Sequence, residues 1–208
     1  MNNEAVLLLG PTGAGKSPLG DALERSGWSG RRCVHFDFGA ELRRAAASPV
    51  DFPNLEADER AVIHSVLAEG ILLEDRHFSI ARKILRRFLK AKGVGAGDLV
   101  ILNGLPRHQG QASALEESVD LRRIVRLEAS TEIIRERIHQ NAAGDRIGRI
   151  DDSPGEIEKK LALFEERTRP LVGYYAAKGI QTVDLAVSAS SNGEDLRHDL
   201  IRNCPDPA

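Results

Sequence analysis

The chain has 208 residues, of which 41% are hydrophobic, so it is long enough to form one domain with a sizeable core. Its 29 basic and 31 acidic residues give a net charge of −2, which does not favour a nucleic-acid-binding protein. The start of the chain does not look like a secretory signal, no apolar run could span a membrane, and Cys33 and Cys204 show no metal or redox spacing, so we expect a cytoplasmic protein without disulfides.

Short apolar runs alternate with helical patterns along the chain. The runs predict buried strands at Ala5–Leu9, Arg32–Phe36, Asp98–Asn103, Arg123–Leu127 and Gln181–Leu185. Periodicity predicts helices over 16–26, 74–92, 131–142, 154–179 and from 192 onward. The alternation predicts an α/β fold in which residues 1–208 form one domain, with a doubly wound, five-stranded parallel sheet flanked by helices. Residues 37–69 are expected to form a helical insertion, and residues 143–153 a short loop.

A Walker A loop, GPTGAGKS, occupies residues 10–17 directly after the first predicted strand. Glycines let the backbone turn so that successive N–H groups point at one anion, and the N-terminus of the following helix adds to the attraction. Lysine in this motif reaches the outer phosphates, and the hydroxyl of the next residue is placed to bind Mg²⁺. The sequence therefore predicts a phosphate site built from Gly10, Thr12, Gly13, Ala14, Gly15, Lys16 and Ser17.

Further motifs follow at residues 35–43, 103–111, 148–152 and 169–179. In composition and order they resemble those of adenylate kinases and other nucleoside monophosphate kinases. Residues 103–107, NGLPR, with Gln111 after them, are similar to the family's DG-aromatic-PR and its purine-reading glutamine. Residues 35–43, HFDFGAELR, resemble the acceptor motif H-x-S-T-G-D-L-L-R. Residues 148–152, GRIDD, resemble the short-lid motif G-R-x-D-D, and residues 169–179 resemble the segment before the family's last strand.

The resemblance implies a P-loop kinase that transfers the γ-phosphoryl group of Mg·ATP to a nucleoside monophosphate. A glutamine amide can pair with an adenine edge, so AMP is the expected acceptor. Residues 37–69 would be the NMP-binding insertion and residues 143–153 the lid. The partners would be small nucleotides, not nucleic acid or a membrane, and the protein would be a monomer. By resemblance the catalytic residues are Lys16, Arg107, Arg149 and Lys160, the acceptor-binding residues are Phe38, Gly39, Arg43, Gly104, Arg107 and Gln111, and the metal-binding residues are Ser17 and Asn103.

The chain departs from the family at several of these positions. Pro18 stands where the family usually has threonine, and it lacks an N–H for the inner phosphates. Asn103 replaces an aspartate, so either Mg²⁺ is held more loosely or Asp37 or another acid compensates. Phe38 and Ala40 replace the threonine and aspartate of the acceptor motif. Phe38 could stack on a base or pack under the insertion.

Three basic positions also leave alternatives open. Lys160 stands where the family commonly has arginine, and it could bind phosphate or pair with Glu156 one helical turn away. Arg44 could take the role assigned to Arg43, and Arg146 could replace an upstream lid arginine.

These departures from the family leave two other functions open. One is a kinase for another nucleotide or a small metabolite, and the other is a degenerate nucleotide-binding regulatory protein with little turnover.

Overall fold

A five-stranded parallel sheet with strand order β2-β3-β1-β4-β5 forms the centre of the protein. The computed structural model describes residues 2–141 and 153–206. The strands are β1 (Asn3–Leu9), β2 (Cys33–Asp37), β3 (Leu99–Asn103), β4 (Val119–Glu128) and β5 (Gln181–Ala186). The α/β fold and the five predicted strands are therefore confirmed, although β4 begins earlier than its apolar run.

Helices connect the strands and cover both faces of the sheet. They are α1 (Lys16–Ser26), α2 (Phe38–Ala47), α3 (Ala57–Glu69), α4 (Phe78–Ala91), α5 (Gln109–Leu115), α6 (Thr131–Gln140), α7 (Pro154–Leu163), α8 (Leu171–Ala176) and α9 (Gly193–Asn203). The expected insertion, residues 37–69, contains α2 and α3. Apart from Ser153, which caps α7, the expected lid at residues 143–153 lies outside the described residues.

The predicted helices differ from the observed ones in three places. The helix expected over 74–92 begins with a 3₁₀ turn at Asp75–His77, and α4 starts only at Phe78. The single helix expected over 154–179 is wrong, because a π-helical turn at Phe164–Thr168 separates α7 from α8. Pro170 follows that turn and has no N–H to continue the helical hydrogen bonds. Helix α5 was not predicted, since its seven residues are too few to show a clear period.

Alternate residues of β1 point into two hydrophobic clusters, as expected for a strand covered on both faces. Ala5, Leu7 and Leu9 join a cluster with α2, α3 and α4. Val6 and Leu8 join the opposite cluster with α1 and α9. Both cysteines are buried free thiols. In the described ranges, no helix is long and apolar enough to cross a membrane.

The strand order brings the ends of three strands together at one edge of the sheet. Strand β1 lies between β3 and β4, and the registers pair Leu8 with Asn103 and Asp37 with Asn103. The carboxyl ends of β1, β2 and β3 therefore lie side by side. In doubly wound sheets, ligands bind at this end, at the point where the strand order reverses.

Candidate functional site

The glycine-rich loop between β1 and α1 curves around the end of the sheet. Gly13 and Gly15 have φ angles of +79° and +96°, a region that residues with a Cβ rarely enter. The curve brings Nζ of Lys16 within 2.7 Å of the carbonyl oxygens of both Gly10 and Pro11. A concave backbone and an ammonium group thus lie together at the start of a helix, which suits phosphate binding.

One cavity of about 240 Å³ extends from this loop to helices α2 and α3. Most of the predicted site residues lie along it, although they come from distant parts of the sequence. They are Gly10, Thr12, Gly13, Gly15, Lys16, Ser17, Phe38, Gly39, Arg43, Asn103, Gly104, Arg107, Gln111 and Lys160. Ala14 is different, because it is fully buried in the cluster beneath the loop. Arg149 and Arg146 lie outside the described residues.

Three polar side chains meet where the loop passes the ends of β2 and β3. The hydroxyl of Ser17 donates a hydrogen bond of 2.7 Å to Oδ2 of Asp37. Nδ2 of Asn103 donates to the same Oδ2 and to Oγ of Ser17, each at 3.0 Å. Because a carboxylate only accepts hydrogen bonds, the amide nitrogen of Asn103 is the atom that faces Asp37. The cluster thus contains one carboxylate, one hydroxyl and one neutral amide.

A buried histidine extends this cluster toward the surface. Nδ1 of His35 lies 2.8 Å from Oδ1 of Asp21, and Nε2 lies 3.4 Å from Nδ2 of Asn103. A hydrogen on Nδ1 leaves Nε2 as an acceptor that can share a hydrogen of the Asn103 amide. This hydrogen bond lowers the pKa of the Asp21 carboxyl below its usual range, although partial burial opposes the shift. Gly20 lets α1 approach, since a Cβ there would lie 2.3 Å from Nε2 of His35.

Hydrogen bonds to its backbone hold Arg107 in place. Its N–H donates to Oε1 of Gln111 at 2.7 Å, and its carbonyl accepts from the hydroxyl of Thr168 at 2.8 Å. Burial lowers the pKa of the guanidinium, and the nearby Asp37 carboxylate opposes that change. The group stays charged, because an arginine pKa lies far above neutral pH. A permanently charged guanidinium therefore lines the cavity.

Gln111 is 1% exposed and makes hydrogen bonds with both ends of its amide. Besides accepting from Arg107, it donates through Nε2 to the carbonyl of Leu73 at 2.6 Å. His108 also reaches that carbonyl, with Nε2 at 3.0 Å. The two side chains hold the segment before α4 against the start of α5. An amide has two donor hydrogens and two acceptor lone pairs, so Gln111 retains one of each beyond these two hydrogen bonds.

Helix α2 directs neighbouring residues to different surroundings. Arg43 lines the cavity, whereas Arg44 pairs with Asp51 at 3.2 Å and lies over the ring of Phe52. Phe38 is 4% exposed, and its ring centroid lies 6.0 Å from that of Phe36. Most of the Phe38 ring is therefore packed in the core, although an edge of the residue reaches the cavity.

The sequence analysis did not identify Arg137 as a site residue. In the structure it is 3% exposed and borders the glycine-rich loop. Its Nε donates to the carbonyl of Gly13 at 3.0 Å, and Nη1 donates to the carbonyls of Ser188 and Ser191 at 2.7 Å each. The guanidinium thus ties the glycine-rich loop to the segment after β5. One signal was present in the sequence: Arg137 follows the buried Ile134 by three residues, on the apolar side of α6.

Comparisons with known proteins indicate the family of this chain. The chain is 33% identical to an adenylate kinase of Xanthomonas euvesicatoria over 184 residues, covering 84% of this chain and 86% of that protein. It is 31% identical to an adenylate kinase of Xylella fastidiosa over 182 residues, covering 84% and 87%. No protein-family model matches the sequence. An unliganded sugar kinase from Janibacter sp. HTCC2649 superposes with a TM-score of 0.53 over 100% of this chain and 99% of its own, at 15% identity, and so supports the fold alone.

Proposed function

Because the chain belongs to the adenylate kinase family, we propose that it transfers the γ-phosphoryl group of Mg·ATP to a nucleoside monophosphate, with AMP as the acceptor. One observation carries the proposal: a single cavity joins the glycine-rich loop to Arg43, Arg107 and Gln111. Both nucleotides would therefore meet in one cavity. We further propose that the protein is a cytoplasmic monomer that acts on small nucleotides.

The donor end of the cavity fits the phosphates of ATP and their metal ion. The loop backbone and Lys16 would hold the β- and γ-phosphates. Mg²⁺ prefers oxygen ligands and usually combines one or two protein groups with waters and substrate phosphates. The Ser17 hydroxyl and the neighbouring Asp37 carboxylate offer such oxygens. When bound, the ion would neutralise charge on the phosphates. Within the described residues, no group of three or more His, Cys, Asp or Glu side chains could hold a metal ion, which suits an ion that arrives with its nucleotide.

The acceptor end supplies cations and a base-reading amide. Phosphoryl transfer brings many anionic oxygens together, so catalysis rests on positioning and on charge neutralisation. Arg107 and Arg43 would hold the acceptor phosphate with their planar forks. Lys160 would add charge from α7, and Arg149 would close over the transferred group as part of the lid at residues 143–153. Closure of the lid and of the insertion at residues 37–69 would exclude water, which otherwise wastes ATP.

A panel of acceptors tests this proposal. Wild-type protein is incubated with Mg·ATP and AMP, CMP, UMP, GMP or dAMP, and the NDP product is separated and quantified, with Lys16→Ala as the blank. We expect ADP formation with AMP that is lost in the blank. Preference for a different nucleotide would indicate that the altered acceptor motif at Phe38 and Ala40 sets the acceptor specificity. No product with any acceptor, while ATP still binds, would overturn the proposal in favour of a metabolite kinase or a regulatory protein.

Pro18 should weaken the hold on ATP, because it lies in the first turn of α1 and brings no N–H to the phosphates. Restoring that donor with Pro18→Thr or Pro18→Ala should lower the Kd for Mg·ATP about tenfold, since a hydrogen bond to a charged group contributes ~1.5 kcal/mol. Calorimetric titration measures the change. The alanine variant is the control for the added hydroxyl: equal gains identify the N–H as the cause, and unchanged affinity in both variants contradicts the idea.

A further inference from the structure

The carboxylate at the donor end of the cavity comes from β2, not from β3. Asp37 and Asn103 are register partners at the ends of these strands. Oδ2 of Asp37 lies 2.7 Å from Oγ of Ser17, the hydroxyl that the loop motif assigns to Mg²⁺. Asn103, where the resembled family has aspartate, turns its amide nitrogen toward the same Oδ2 at 3.0 Å. The resembled motifs have serine at position 37 and aspartate at position 103, so this chain carries its acid on the neighbouring strand.

The two substitutions fit each other electrostatically. An aspartate at position 103 would place a second carboxylate about 3 Å from Asp37, and two carboxylates so close cannot both stay ionised. Asparagine removes that repulsion and donates a hydrogen bond in its place. It also suits the His35 ring, whose Nε2 faces the amide at 3.4 Å. The cluster around Ser17 therefore keeps a single negative charge, whose position is fixed by its neighbours.

We infer that Asp37 supplies the protein carboxylate for the Mg²⁺ of Mg·ATP, and that Asn103 positions Asp37 without binding the ion. This inference rests on the proposed function only in taking Mg·ATP as the ligand. Asp37 has two other structural roles, and the test must separate them from metal binding. Its Oδ1 caps α2 by accepting from the N–H of Ala40 at 2.9 Å, and its charge acts on Arg107.

The variant Asp37→Asn separates metal binding from capping, because it removes the charge and keeps the shape. Asparagine is as good a helix N-cap as aspartate, so α2 should keep its start. Two exchange variants then return the carboxylate to β3. One combines Asp37→Asn with Asn103→Asp, and the other combines Asp37→Ser with Asn103→Asp. Asp21→Asn is the matched control, since it removes a charge from the same hydrogen-bonded chain outside the cavity.

The measurement is ATP binding by calorimetry, in EDTA and in excess Mg²⁺, without acceptor. In wild-type protein we expect Mg²⁺ to lower the Kd for ATP about tenfold or more, because the ion turns repulsion from Asp37 into attraction. In Asp37→Asn the ratio of the two Kd values should fall to about one, and ATP should bind at least as well in EDTA as it does to wild type. At least one exchange variant should restore most of the ratio, and Asp21→Asn should leave it unchanged.

Three results would overturn the inference. The first is a wild-type ratio in Asp37→Asn. The second is a lost ratio that neither exchange variant restores, which would mean that Asp37 acts only through α2 or Arg107. The third is an equal loss in Asp21→Asn, which would indicate a general effect of charge. A wild-type protein that forms no NDP would refute the proposed function instead, and the binding ratios would still decide the role of Asp37.

Discussion

Replacing Lys16 by alanine should lower the rate of NDP formation by about a thousandfold or more, equivalent to ~4 kcal/mol of lost transition-state stabilisation. The reason is geometric. Nζ lies 2.7 Å from the carbonyls of Gly10 and Pro11, so the loop itself holds the ammonium where the outer phosphates are expected. Little compensation is available, because backbone N–H groups bring partial rather than full charge. Both kcat and the Kd for Mg·ATP should be measured.

The fold should survive this change, because the two carbonyl acceptors can turn to water. Thermal unfolding of the variant should therefore match wild type within a few degrees, about the shift that 1 kcal/mol produces in a protein of this size. Lys16→Arg is the matched variant that keeps the charge. We expect it to be almost as inactive, since a planar guanidinium does not replace a compact ammonium inside a tight loop. A Lys16→Ala variant that retained a tenth of wild-type activity would contradict the assigned role.

Removing the Arg107 side chain should cost about as much, but at the acceptor end. We expect Arg107→Ala to lower kcat/KM for the acceptor about a thousandfold, and Arg107→Lys about a hundredfold, because lysine keeps the charge and loses the bidentate fork. The Kd for Mg·ATP should change less than threefold, roughly half a kcal/mol. Initial rates at varied acceptor concentration, together with calorimetric titration of ATP, separate the two effects.

The backbone around Arg107 should keep its structure in these variants. Its N–H and carbonyl are held by Gln111 and Thr168, so the loop keeps its anchors when the side chain is removed. Arg44→Ala is the matched control, because it removes an equal charge on the same side of the sheet. In the wild-type protein the Arg44 guanidinium pairs with Asp51, away from the cavity. It should keep near wild-type kcat/KM. Equal losses in Arg44→Ala and Arg107→Ala would mean that net charge, not position, governs acceptor binding.

Strongly patterned segments could be predicted from the sequence, because their patterns record the local environment. Runs such as Ala5–Leu9 are apolar at every position, which occurs when both faces of a strand are covered. The loop at residues 10–17 follows from its glycines and lysine, whose backbone freedom and charge are local properties. The motifs around Arg107 and Gln111 also indicated the family, and relatives that are 31–33% identical support it.

Other features depend on contacts between segments that are far apart in the chain. Periodicity could not separate helix α7 from α8, because the π-helical turn at Phe164–Thr168 keeps nearly helical spacing. Within that turn, the Thr168 hydroxyl donates a hydrogen bond to the carbonyl of the distant Arg107. Arg137 looks like a surface residue until the folded chain brings carbonyls from positions 13, 188 and 191 around it.

The sequence by itself determined the α/β fold, the phosphate loop and the loss of an acid at position 103, since each depends on residue type and local order. Only the tertiary structure decided which carboxylate lies beside the hydroxyl of Ser17. Asp37 lies 66 positions from Asn103 in the sequence, and parallel pairing of β2 with β3 brings the two side chains to 3.0 Å. The physical reason is that charge acts through space: a carboxylate can move to a neighbouring strand and still face the same hydroxyl of Ser17.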